Sequence, residues 1–394
     1  MPTFAPMFRV KTRMRKGCLL MVMALMPLMA LAEGGKTEKS QNLVVKGLMW
    51  VKTLIDSMAV ANVDRSYIEQ PRKPWAVEVR TSASQSRLDM EADWNLADIR
   101  EAWIRSETDN GFSTSMGAWV GYRGYGFGLS KELTGGEGST LSFGAMGGSF
   151  GINLRINSYR SKKPDLRFYF EGVQDGEADM ERANLEDPIR VRSLFLDGYY
   201  LFNGKHFSYA AAYDQSLIQR RSAGSLMAGV MYYHSSVAYD DNSNWPLLLA
   251  MRGMGKLKFS QASVGAGYAY NWVPARGWLV SAQVMPMVTF YNNMKTYTYS
   301  VVDAMGKNVL ERLIEDDFEV SDGESATWKI TEREVRNTTN RVNWNFDARM
   351  SVSYNWSGSY LRLYGHYNRF RYSNDEGKGH MQDWTAYASF GVRF

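Results

Sequence analysis

From Val342 to Trp356 apolar and polar residues alternate without a break. Val342, Trp344, Phe346, Ala348, Met350, Val352, Tyr354 and Trp356 share one face, while Asn343, Asn345, Asp347, Arg349, Ser351, Ser353 and Asn355 share the other. A period of two makes a strand. Its length, with aromatic residues at both ends of the apolar face, fits a tilted strand crossing a membrane better than the shorter strand of a soluble sandwich. Ser357-Gly358 then supplies a two-residue hairpin turn. On the return, Leu361, Leu363, Gly365 and Tyr367 face outward, and Arg362, Tyr364, His366 and Asn368 face inward. The same alternation runs through Ala262–Trp272 and Trp278–Val288, on either side of a turn at Pro274–Gly277 that is flanked by Trp272 and Trp278. It closes the chain with Trp384, Ala386, Ala388, Phe390, Val392 and Phe394.

Twelve such segments are predicted: 75–84, 113–122, 125–133, 140–147, 149–159, 192–202, 222–236, 259–272, 278–290, 341–356, 359–372 and 383–394. An even number returns both ends of the chain to one side, as single-chain membrane barrels require. Tight turns near 123–124, 147–148, 273–277 and 357–358 fall on that side. Long connections at 85–112, 160–191, 237–258 and 291–340 fall on the other. The pattern therefore predicts an all-β fold, a transmembrane antiparallel up-and-down β-barrel of about twelve strands over residues 75–394. Residues 205–221 interrupt the strand pattern and are expected to form a long periplasmic-side or lumen-inserted connection.

Ahead of the barrel the period changes to that of a helix. Val44, Leu48, Val51, Ile55 and Met58 recur at steps of four and three, which predicts an amphipathic periplasmic helix within a segment spanning residues 33–74. Earlier still, Arg9, Lys11, Arg13, Arg15 and Lys16 precede an apolar run from Gly17 to Ala32 that ends in Ala30-Leu31-Ala32. A basic head, a short apolar middle and a small-residue end read as a signal peptide over residues 1–32. The run contains Pro27 and is shorter than a spanning helix.

Removal of that segment changes the electrostatic picture. The formal charge is +5 and the segment carries five basic and no acidic residues, so the remaining chain balances at 5 − 5 = 0. The case for a nucleic-acid partner goes with it. The single cysteine, Cys18, is lost too, which leaves no disulfide, thiol nucleophile or thiolate metal site. No cofactor or metal is expected. The expected location is the outer membrane of a Gram-negative cell, as a monomer among outer-membrane lipids and lipopolysaccharide. A terminal aromatic residue preceded by alternating apolar positions resembles the signal read by the barrel assembly machinery, so the strand ending at Phe394 is the expected partner surface for it.

Candidate chemistry is sparse. The two-residue turn at 357–358 sets His366 opposite Arg349 and Asn368 opposite Asp347, all on the lumen face, with Ser351 and Ser353 beside them. A hydrolase needs a histidine base, a carboxylate to orient it and a hydroxyl; His366, Asp347 and Ser351 are the candidates. The competing reading is a lumen packed with polar groups that satisfy one another. The acidic run Glu311–Glu324 could collect divalent cations or serve as a solvated loop. Asp240–Met251 fails as a calcium loop, with Trp245 and Met251 where glycine and glutamate are needed. Gly121–Gly128 lacks the lysine and helix of a phosphate loop, and strand glycines against a neighbouring aromatic explain it better.

The stretch Tyr199–Ser225 carries a succession of Phe202-Asn203, Phe207-Ser208-Tyr209, Ala211-Ala212-Tyr213, Gln219-Arg220-Arg221 and Ser222-Ala223-Gly224-Ser225. It resembles a Bacteroidetes outer-membrane protein family known as domain of unknown function 4421. Asp64–Trp75 is similar to that family's approach to its first strand. The resemblance implies an outer-membrane barrel and brings no activity with it.

The same stretch concentrates Lys205, His206, Gln219, Arg220 and Arg221. With Arg349 and Arg362 from the wall, these are the expected pore or plug residues, forming a cationic constriction or a clamp on the barrel floor. The functional expectation is a channel, transporter or structural barrel. The alternatives are a lipid- or lipopolysaccharide-modifying barrel enzyme and a surface-binding protein acting through its long loops.

Overall fold

Alternating side chains become a closed wall. The computed structural model describes residues 63–394, apart from 97–98, 110–111, 162–164, 172–177, 181–188, 239, 241–247, 249–252, 310–311, 313–326, 340–341 and 374–376. The expected signal peptide, the helix around Val44–Met58 and most of the acidic run lie outside the described residues. The first half carries β1 (Ile68–Glu69), β2 (Trp75–Leu96), β3 (Ile99–Asp109), β4 (Ser113–Tyr122), β5 (Tyr125–Thr134), β6 (Gly136–Met146), β7 (Phe150–Ser161), β8 (Asp165–Glu171) and β9 (Ala178–Met180). The second half carries β10 (Arg190–Leu201), a short helix α1 (Tyr209–Tyr213), β11 (Ile218–Gln219), β12 (Ala223–Ala238), β13 (Met254–Trp272), β14 (Trp278–Val302), β15 (Lys329–Thr339), β16 (Asn343–Trp356), β17 (Ser359–Ser373) and β18 (Gly377–Arg393).

Twelve of these form the wall: β2, β4, β5, β6, β7, β10, β12, β13, β14, β16, β17 and β18, each antiparallel to the next. β18 pairs back onto β2, so the sheet has no free edge. The closure continues to the last residue, where Trp75 and Phe394 exchange backbone hydrogen bonds of 3.2 and 3.0 Å. All twelve predicted segments are present in the predicted order. Tight turns explain the register at one end. Arg123 and Gly124 (φ 47° and 92°), like Ser357 and Gly358 (φ 39° and 87°), are both left-handed. That turn matches the twist of the paired strands and brings Arg349 opposite His366 as expected.

The other end differs from expectation. Among the described residues, the regions read as long connections are largely strand: β2 and β14 run on past the wall, and β3, β8, β9 and β15 pair beside them. The reason is physical. Apolar alternation marks only the part of a strand that meets lipid, whereas backbone groups beyond it still gain from pairing.

Outside, the wall is apolar over its full circumference. Val79, Met116, Leu129, Ile152, Val230, Val264, Val284, Met350 and Leu363 are exposed, far more apolar surface than a soluble protein leaves to water. Aromatic residues bound this band. Phe202, Trp272, Trp278 and Trp356 stand at the tight-turn end, and Phe112, Phe290, Tyr291 and Trp344 near the other. The rise from Trp344 to Tyr354, for a strand tilted as in membrane barrels, gives a band about 25 Å tall. Inside, the pattern is inverted: Glu78, Asp197, Gln261, Asn271, Gln283, Asn345, Asp347, Arg349 and Asn368 are buried. A lipid-exposed exterior and a polar interior follow from one alternation.

Met350 lies midway along the apolar face of β16 and is 62 % exposed. Met350→Arg is expected to destabilise the folded barrel by about 2–4 kcal/mol, and Val342→Arg, at the rim, by about 0–1 kcal/mol. Denaturant titration in lipid vesicles measures both; equal costs would contradict a membrane-facing surface.

Candidate functional site

The connection between β10 and β12 does not leave the barrel. It turns inward and plugs the lumen with residues 207–215. Phe207, Ser208, Tyr209, Ala210, Ala211 and Ala212 are fully or almost fully buried. Ser208 caps α1 by accepting a 3.0 Å hydrogen bond from the backbone of Ala211. Three consecutive alanines let the helix lie close to the wall, and Gly151 opens room for the Tyr209 ring, which a Cβ there would meet at 2.5 Å. After the helix, Gln215 takes a left-handed conformation (φ 65°) without being glycine. Its neighbours hold it there. Its Nε2 donates to Ala211 O (2.6 Å), its Oε1 accepts from Asn355 (2.9 Å), and its carbonyl accepts from Arg393 (2.7 Å).

Wall arginines latch the plug. Arg349, buried, lies 3.1 Å from Asp197 and 3.4 Å from Asp347. It donates to Tyr209 Oη at 3.0 Å and to Tyr199 Oη, and stacks on the Tyr199 ring at 4.7 Å. Arg362 donates to the carbonyl of Tyr213 and pairs at 3.0 Å with Glu78, which also receives Tyr360 at 2.6 Å and Arg80 at 2.6 Å. Ser351 donates to Ala212 O (2.8 Å), and Asn271 to Ser208 O (3.0 Å). The latches from Arg362, Ser351 and Asn271 each satisfy a helix or loop carbonyl that burial would otherwise leave bare.

Arg349 and Arg362, two of the expected pore or plug residues, thus reach the inserted segment from the wall. Gln219 is buried as well, accepting from the backbone of Ser208 at 2.9 Å. The cations of the connection do not line the lumen. Lys205, Arg220 and Arg221 are exposed at the tight-turn mouth, facing a strap formed by residues 63–75. There β1 pairs with β11, Arg220 pairs with Glu69, Arg221 lies 5.6 Å from the Tyr67 ring, and His206 lies 3.4 Å from Asp64. Hydrogen bonds from Ser66 hold the Asp64 carboxyl below its ordinary value, and His206 adds to the effect. The expected cationic insert is thus a mostly apolar, tyrosine-rich one, whose charged side chain within 207–215 is the buried Asp214. The positive charge inside comes from the wall, because the cations of the connection find water at the mouth.

The hydrolase candidates are not brought together. His366 meets Arg155, whose guanidinium donates to Nε2 at 2.8 Å, and the Asp383 carboxylate at 3.7 Å. Arginine only donates, so Nε2 accepts in this contact. Asp347 instead receives Gln283 (3.0 Å) and Tyr199 (3.3 Å), and the Ser351 hydroxyl serves the plug. Sequence reading missed Arg155, Asp383, Glu78, Arg393 and Tyr199. Their signal was a charged or phenolic group on the lumen side of an alternating strand, which names a face without naming a partner.

Beside the plug three cavities follow one another along β2, β4, β5, β6 and β7. The first, about 180 Å³, is lined largely by hydroxyls such as Ser82, Ser115 and Ser193, with Arg155 at its base. The second, about 90 Å³, shares Thr140, Arg155 and Tyr387 with the first. A third, about 20 Å³, shares Trp119 and Asp214 with the second and reaches Lys73 and Arg123 at the mouth. Trp119 narrows this seam. It lies flat against the wall because Gly126, Gly128 and Gly144 face it, where a Cβ would fall 2.7–3.0 Å from its ring, and Arg80 covers it at 4.2 Å. Gly126 and Gly128 belong to the stretch that superficially resembles a phosphate loop.

The family model described as Domain of unknown function (DUF4421) matches residues 62–394. The chain belongs to this family. The match takes in the strap, the plug and the whole wall of this DUF4421 barrel. No curated protein matches it. Among solved structures it is similar to the outer membrane protease OmpT from Escherichia coli, with 6 % identity, 83 % of this chain and 98 % of that one covered, and a TM-score of 0.35. The beta domain of the Bordetella autotransporter BrkA gives 11 %, 82 % and 100 %, with a TM-score of 0.30. The Pseudomonas putida toluene transporter TodX gives 9 %, 82 % and 91 %, with a TM-score of 0.28. Likenesses this distant assign neither substrate nor mechanism.

Replacing Arg349 by leucine leaves Asp197 and Asp347 buried without their cation. Arg349→Leu is expected to cost about 3–5 kcal/mol in equilibrium unfolding. The plug should also become accessible to protease in the folded barrel. A cost under 1 kcal/mol would mean the latch does not hold the plug.

Proposed function

We propose that this DUF4421 protein is an outer-membrane barrel with a built-in plug, through which small polar solutes pass along the seam beside α1, anions before cations. The tight-turn end is then periplasmic and the long hairpins extracellular. One observation carries the reading: successive cavities share lining residues from one end of the lumen to the other. Hydroxyl-bearing side chains on β2, β4, β6 and β7 suit a hydrated solute. Arg155 borders both larger cavities, while Lys73, Arg123 and Arg393 line the smallest, which biases the path toward negative charge. The signal-like leader and the closed, lipid-facing wall support the location. An enzyme built on His366 is less favoured, since its Nε2 already accepts from Arg155.

Reconstitution in planar bilayers tests this. The native barrel is expected to conduct weakly and to prefer anions. Trp119→Ala, which widens the narrowest part, should raise conductance, and Arg155→Glu should move the reversal potential toward cation preference. If neither the native barrel nor Trp119→Ala conducts, passage is rejected and a structural barrel remains.

A further inference from the structure

Outward-facing residues at the long-hairpin end form ordered rows across the wall. The lowest is apolar: Leu196 on β10, Tyr232 on β12, Ala262 on β13 and Tyr291 on β14 stand in register. One step further come Leu194, His234, Ser260 and Asn293, with His234 and Ser260 2.8 Å apart. The next row is Arg192, Ser236, Lys258 and Lys295, followed by Arg190, Ala238, Lys256 and Tyr297. Leu257 and Phe259 are buried, so Lys256 and Lys258 point away from the lumen. In two steps along the strands the surface passes from hydrocarbon-like to basic.

No carboxylate stands in these two basic rows. Asp240, nearby, engages Arg190 at 2.7 Å and Tyr299 at 2.8 Å. Lys258 and Lys295 are direct cross-strand partners, an arrangement that destabilises a sheet when both are charged and nothing lies between them. The lysines also converge on Tyr297. Lys258 Nζ donates to its hydroxyl at 2.9 Å, and the two ammonium groups of Lys256 and Lys258 lie 5.3 and 4.9 Å from the ring centroid. From Arg192 to Lys295 the row crosses three strand spacings, about 14 Å, wider than one phosphate.

We propose that this basic row, just beyond the apolar band, binds the headgroup of a lipid carrying more than one phosphate in the leaflet at the long-hairpin end. The inference rests on the bilayer-spanning part of the function proposed above, and not on solute passage. Acyl chains would lie on Leu196, Tyr232 and Tyr291, while the phosphates sit between Lys258 and Lys295 and against Arg192. The bound anion relieves the repulsion of the lysine pair.

The test uses the full mature barrel in mixed micelles. It is titrated with a bisphosphorylated diglucosamine lipid, the same lipid with its phosphates removed, phosphatidylglycerol and inorganic phosphate. The bisphosphorylated lipid is expected to bind tightest. The double variant K258Q/K295Q should weaken it roughly thirtyfold, and R276Q, on a turn at the opposite end, should leave it unchanged. Heat-modifiable gel migration checks that each variant is folded, and bilayer conductance of K258Q/K295Q should match the native value. Equal binding of the dephosphorylated lipid, equal binding of phosphatidylglycerol, or an affinity unmoved in K258Q/K295Q would each overturn the proposal. If inorganic phosphate displaces nothing but binds alone with similar affinity, a free-anion site replaces it. Should K258Q/K295Q fold poorly, K295Q alone carries the same test with a smaller expected loss.

Discussion

The buried guanidinium of Arg349 is the contact on which the interior depends. It answers two carboxylates, Asp197 from β10 and Asp347 from its own strand, and reaches Tyr209 on the plug. In a low-dielectric interior an unpaired ion is costly, and a buried pair by itself is weak evidence for stability. Here the pair does something more specific. The arginine divides its donors between wall and plug, so its hydrogen bonding is complete only with α1 in place. Arg362 repeats the arrangement with Glu78 and the carbonyl of Tyr213, and Arg393 with the carbonyl of Gln215.

That dependence explains the composition of the plug. Wall arginines already answer Glu78, Asp197 and Asp347, and the one carboxylate of the plug, Asp214, lies just beyond α1. A neutral run of alanines between two tyrosines supplies phenolic oxygens and backbone carbonyls, the acceptors that wall arginines require. The cations of the connection remain at the mouth, where water and the strap solvate them. One side of the lumen is left open because β4, β5 and β6 present glycine and hydroxyl side chains there, with the Trp119 ring lying flat against them.

Lipid and lumen impose different demands on the same strands. The outer face has to be apolar within one band and to change at its rims, as it does from Tyr232 and Tyr291 to Lys258 and Lys295. The inner face needs partners for its polar groups, and Arg349, Arg362 and Gln283 find theirs across the lumen or on the neighbouring strand. Extension of β2 and β14 beyond the band follows from a third demand, backbone pairing, which ignores both faces.

The strands, their number and their order were legible in the sequence, because a bilayer penalises every out-of-phase residue and a period of two cannot slip by one without exposing the polar face. The two-residue turn at Ser357-Gly358 likewise determined the register of Arg349 against His366. The plug was legible only as an interruption. Its partners were not, since Arg362 meets Glu78 across 284 residues and Arg155 meets His366 across 211. Alternation says which side chains enter the lumen; only closure of the barrel decides which of them meet. The direction of the plug was decided the same way, by where buried carbonyls could find a donor.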